Sequence, residues 1–149
     1  GGTTPGSAAW PAAKDAILVP IYLTQPTTVT RLYVVNGTSA SGSMDIGLYT
    51  ADGALITSSG STAQSGTSAP QFFNIADITV PPGTYYLACS IDGTGGTVFR
   101  GNLSIIRLEE LGCLKLTSAM PLPSSATFAS VTSGLFPLMG LEVAPGTVY

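Results

Sequence analysis

The chain contains no histidine and two cysteines, and charged residues make up only 9% of its 149 positions. Without histidine, Ser-His-Asp and Cys-His nucleophilic arrangements and histidine-containing zinc sites are excluded. The basic residues Lys14, Arg31, Arg100, Arg107 and Lys115 are scattered, and the net charge is −3. No cluster can neutralise several phosphates together, so no nucleic-acid partner is expected. The apolar runs are short, far below the ~18 residues of a membrane-spanning helix, so no membrane insertion is expected. The first nine residues have neither the basic start nor the apolar core of a secretory signal. In that context Cys89 and Cys113 are read as free thiols.

The carboxylates are Asp15, Asp45, Asp52, Asp77, Asp92, Glu109, Glu110 and Glu142. A glycosidase needs two carboxylates facing one cleft about 5–10 Å apart, and most of these fall at turns or on one predicted helix. An Asp-x-Asp-x-Asp-Gly calcium loop is missing too. The chain is therefore read as a non-enzyme, with no catalytic residues, no metal ligands and no cofactor.

What the sequence does have is hydroxyl and apolar content: 35 serines and threonines, 18 glycines and a mean hydropathy of +0.40. Few charges with much apolar surface predict self-association or assembly with other proteins. Residues 1–13 are small, polar and broken by Pro5 and Pro11, and read as an extended N-terminal arm. Trp10, its one bulky side chain, is a candidate contact that packs on its own domain or on a neighbour.

The clearest pattern lies at 43–56. Met44, Ile46 and Leu48 alternate with Asp45, Gly47 and Tyr49, which predicts a half-buried strand with the second set facing outward. Asp52-Gly53 turns it into a hairpin. A second strand at 84–91 places Tyr85, Leu87, Cys89 and Ile91 on one face, and that face is the expected partner layer for the hairpin. The segment 16–23 reads as a strand confined to an edge or a bulge by Pro20, and 27–35 as a β-branched strand with Leu32 and Val34 inward. Residues 58–69 hold no large side chain and read as a long loop offering a contact surface. Helical spacing of Ile105, Ile106, Leu108 and Leu111 after Asn102 or Ser104 and before Gly112 predicts one short helix near 103–111, its apolar face against the sheets. A final strand at 134–143 is broken by Pro137. These elements describe an all-β chain, an antiparallel β-sandwich or jelly roll with one short helix, as a single domain over 14–149.

The run from Val29 through Met44-Asp-Ile-Gly-Leu-Tyr to Gly53, the stretch 59–68, and Gly83-Thr-Tyr-Tyr-Leu-Ala together resemble β-rich virion proteins of tailed bacteriophages, across roughly Ala16 to Arg100. The resemblance implies a non-enzymatic structural module of the virion: a head decoration, a fibre, or part of the tail adsorption apparatus. It would assemble in the host cytoplasm, associate with itself as a homotrimer and bind other virion proteins. Asp-x-Gly-x-Tyr and Pro-Gly-x-Tyr-Tyr also recur in carbohydrate-binding sandwiches. The alternative is therefore a receptor-binding module for a host surface glycan, with Tyr49 and Tyr86 stacking on sugar rings and Asp45 hydrogen-bonding to them.

Overall fold

The computed structural model describes residues 6–144, which form thirteen strands and one helix. In chain order these are β1 (Gly6–Ala9), β2 (Ala16–Leu23), β3 (Thr27–Val35), β4 (Ser43–Thr50), β5 (Leu55–Ser58), β6 (Thr62–Ala63), β7 (Pro70–Val80), β8 (Gly83–Ile91), β9 (Thr97–Asn102), α1 (Ile105–Leu111), β10 (Leu114–Leu116), β11 (Ala129–Ser130), β12 (Leu135–Pro137) and β13 (Met139–Val143). All strand pairings are antiparallel, as the all-β sandwich reading requires.

The central sheet runs β11-β10-β2-β8-β4-β5, with β6 also on β4. Its strands β4 and β8 are neighbours, pairing Met44 with Ile91, Ile46 with Cys89 and Leu48 with Leu87. The strand at 84–91 is thus not the layer facing the hairpin; the two share one sheet and present their apolar rows side by side. The opposing layer is β13-β3-β7 together with β1-β9-β12. Val29, Leu32 and Val34 of β3, Phe73 of β7, Val98 of β9 and Leu135 of β12 meet Ile17, Ile46, Leu87 and Cys89 in one core.

Leu32 and Val34 point inward as expected, and so does Val29, although strict alternation would put it on the other face. Pairing slips between Val29 and Arg31 against β7, and a second irregularity falls opposite the same place in β13. A bulge changes the parity of a strand, so apolar residues on both sides of it can face one core.

Proline acts within single strands. In β2, Ala16–Leu18 pair with both β10 and β8, whereas from Val19 onward β2 pairs with β8 alone. The strand is central in its first half, contrary to the edge reading, and Pro20 falls where one side is free, so its missing N–H costs no ladder bond. Pro137 ends β12 on β9, and the chain resumes as β13 on β3, so the single final strand expected is two strands in two sheets.

The helix has the predicted caps: Ser104 Oγ accepts from Arg107 N at 3.2 Å, and Gly112 closes it in the left-handed region at φ 88°. Its packing departs from expectation. Only Leu108 is buried, and Ile105, Ile106 and Leu111 are exposed.

The contrast between core and helix is measurable. Ile46→Ala is expected to lower unfolding free energy by about 2–5 kcal/mol, and Ile106→Ala by under about 0.5 kcal/mol apart from any effect on association, both read from denaturant midpoints at low protein concentration.

Candidate functional site

The residues singled out as outward contacts on β4 face a second core. Asp45 and Tyr49 are 1% and 0% exposed, which corrects their outward assignment. The face they share with Ala16, Leu18 and Ala88 is covered by the irregular segment 117–128, which lays Ala119, Leu122, Ala126 and Phe128 across it. This strap is tied down by β4 and the hairpin turn. Leu122 N donates to Asp45 Oδ2 at 2.9 Å, and Tyr49 Oη donates to Pro123 O at 2.6 Å. Backbone bonds join Leu55 N to Ser124 O and Ala126 N to Gly53 O. Gly47 is small for the same reason: a Cβ there would stand 2.8 Å from Leu122 Cδ1 and 2.8 Å from Thr57 O.

Asp45 also accepts from Ser59 Oγ at 3.3 Å and, among the described residues, has no cationic partner within ion-pair distance. Burial, with the Asp45 charge second, pushes the Tyr49 phenol and the Cys89 thiol well above their ordinary ranges. Tyr86 is half-buried, its ring 4.9 Å from that of Phe128, with Tyr49 edge-on to the same ring at 6.1 Å. The structure thus gathers Asp45, Tyr49 and Tyr86 at one place, and the ligand they hold there is the chain's own strap. Trp10 sits apart, 1% exposed in the first core, its Nε1 donating to Asp15 O at 2.7 Å. The tryptophan packs on its own body, and the segment read as an arm is, over Gly6–Ala9, a strand on β9; its first five residues lie outside the described ones.

The serine- and glycine-rich stretch 58–69 is also fastened. Gln64 is buried and bonds Asn36 Oδ1, Thr97 O and Ser41 N, while Asn36 Nδ2 reaches Ser65 O and Gln71 Oε1. Side-chain amides carry both donors and acceptors, so three of them can fix a stretch with no apolar anchor of its own.

Cys89 and Cys113 are both free and buried, and burial raises the Cys113 thiol from 9.0 to about 11. Among the described residues, no group of three or more His, Cys, Asp or Glu is placed to hold a metal ion, and no helix is long and apolar enough to cross a membrane.

Two outer surfaces carry exposed large side chains that composition alone did not single out. One surrounds α1, where Tyr22, Ile106 and Leu111 are 68%, 68% and 49% exposed and Tyr22 Oη approaches Gly112. The other is the outer face of β13-β3-β7. There Phe72 lies 5.7 Å from Tyr33, with the Arg31 guanidinium 4.1 Å above the Phe72 ring and bonded to Glu142 Oε2. Phe72 neighbours the buried Phe73, and strand parity separates the two.

Comparison with known proteins finds no matching family model, no matching curated protein and no matching solved structure.

Two outcomes test this description. Asp45→Ala strips the buried Leu122 N–H of its acceptor and is expected to cost about 1–3 kcal/mol, with faster amide exchange at Leu122 and neighbouring strap amides. Unchanged exchange there would separate Asp45 from the strap. The raised thiols keep their protons in the folded state while the unfolded chain loses them above about pH 9. Their contribution to stability is therefore full below that pH and lost as pH rises toward about 11 at Cys113. Alkylation at pH 8 is expected to run at least about a hundredfold slower than for a free cysteine until the chain is unfolded.

Proposed function

We propose that this chain is a non-enzymatic virion structural protein of a tailed phage, an oligomeric surface module that associates with itself as a homotrimer and binds other virion proteins. The observation that carries the assembly part is the surface around α1. A seven-residue helix that buries Leu108 alone and leaves Ile105, Ile106 and Leu111 in solvent beside Tyr22 leaves apolar area uncovered in the isolated chain. Its exposed Arg107, Glu109 and Glu110 form no ion pair among the described residues and can pair across an interface. The virion role rests on the sequence resemblance, and the low charge content agrees with surface buried in an assembly.

Light scattering on the purified chain is expected to return a trimer, and Ile106→Glu with Leu111→Glu to return a monomer of unchanged circular dichroism. A wild-type monomer at high concentration sinks the assembly reading. Antibody labelling of intact particles tests the virion placement.

A second reading, recognition of a host surface glycan, is favoured by the Tyr33–Phe72 pair beside the Arg31–Glu142 ion pair, since stacking rings with adjacent charged donors and acceptors suit a sugar. Here the sugar-stacking role moves from Tyr49 and Tyr86 to another face. Glycan-array binding that disappears in Phe72→Ala and Tyr33→Ala is the expected result for this reading, and a blank array removes it.

A further inference from the structure

Arg100 is half-buried, and its Nε is cut off from solvent. Alternate residues of β9 share one face, so Arg100 and Asn102 lie in line with Val98, which belongs to the first core. The sandwich is closed at Val98 and opens at Arg100, where a cleft of about 200 Å³ is lined by Ala8, Ala9, Arg100, Asn102, Ser133 and Gly134. Arg100 Nε is buried with no hydrogen-bond partner, and among the described residues no carboxylate lies within ion-pair distance of its guanidinium. A buried Nε–H without an acceptor is costly, and the guanidinium that carries it lines the cleft with no counter-charge among the described residues; such groups are normally met by an anion, a water or a protein acceptor.

We propose that this cleft binds a carboxylate. The planar guanidinium fork matches a carboxylate in geometry, and a single cation compensates a single negative charge, whereas a phosphate dianion would leave one charge unmet in a cleft with no second cation. Ser133 Oγ accepts from Leu135 N at 3.3 Å, which leaves its hydroxyl hydrogen to donate to a second carboxylate oxygen. The walls are small, and the volume lies below the ~300 Å³ at which ordinary ligand pockets begin, so the group admitted is a short one. A neighbouring cavity of about 120 Å³ shares Pro11, Ser133 and Leu135 with the cleft and adds Ala16, Ile17 and Val131, together with Asp15 and Lys115, which pair with each other at 3.9 Å. The Ala16, Ile17 and Val131 side of that extension suits a short aliphatic stem behind the carboxylate, and the Lys115 charge there is already met by Asp15. Both a free short-chain acid and a glutamate side chain of a partner protein have this chemistry, and the inference does not depend on the assembly reading.

The test is thermal melting of the full chain at constant ionic strength, with chloride exchanged for acetate, butyrate, phosphate or acetyl-glutamate amide. The expected result is a saturable rise in melting temperature with butyrate and with acetyl-glutamate amide, absent with phosphate, and weakened at least about tenfold in Arg100→Gln. Ala9 is exposed at the rim, so Ala9→Leu narrows the cleft with Arg100 intact and is expected to abolish the rise without disturbing the fold. Tighter binding of acetyl-glutamate amide than of butyrate assigns the carboxylate to a polypeptide, and the reverse assigns it to a free acid. The proposal is overturned if no carboxylate exceeds chloride, if phosphate matches them, or if either folded variant responds as wild type does.

Discussion

The fold turns on a buried carboxylate that has no cation among the described residues. Asp45 is buried in β4 and spends its oxygens on the Leu122 amide and the Ser59 hydroxyl. An ionised group taken from water needs hydrogen bonds or opposite charge, and here backbone and hydroxyl donors meet that need. The donor from Leu122 brings the strap with it, and the strap covers the second face of the central sheet. Tyr49 and Gly47 act in the same sense, one bonding Pro123 and the other leaving room for Leu122. A strand with two covered faces then lies at the centre of the molecule, between a sandwich partner on one side and an irregular segment on the other.

Much of the remaining irregular chain is held the same way, by polar groups placed where apolar anchors are missing. The amides of Asn36, Gln64 and Gln71 fasten a stretch of serine, glycine and threonine that could not bury enough surface to order itself. Trp10 combines both devices, filling the first core while its indole N–H caps the Asp15 carbonyl. Few charges are needed because neutral hydrogen bonds do most of this work, which accounts for the hydroxyl-rich, charge-poor composition.

The two thiols and the phenol of Tyr49 are buried and hold their protons, so none of these three is an activated nucleophile. The described surface carries three features of a different kind: the apolar helix, the aromatic pair on β3 and β7, and Arg100 at the mouth of the sandwich. Each of these suits recognition of another molecule, and recognition is the common ground of the virion and glycan readings.

Periodicity in the sequence determined the strand inventory around 16–50 and 84–91, the short helix with its Ser104 and Gly112 caps, and hence the all-β class, because those signals are local. The sequence could not say which face of β4 meets solvent. A polar or small residue in alternation reads as outward whether it meets water or a strap some 77 positions away, as Asp45 and Leu122 do. Nor could it show that the strands at 43–50 and 84–91 lie side by side, that a bulge turns Val29 inward, or that Ile106 is left bare while Trp10 is covered. Those outcomes depend on which distant segments arrive at each face, and only the closed tertiary structure decides that.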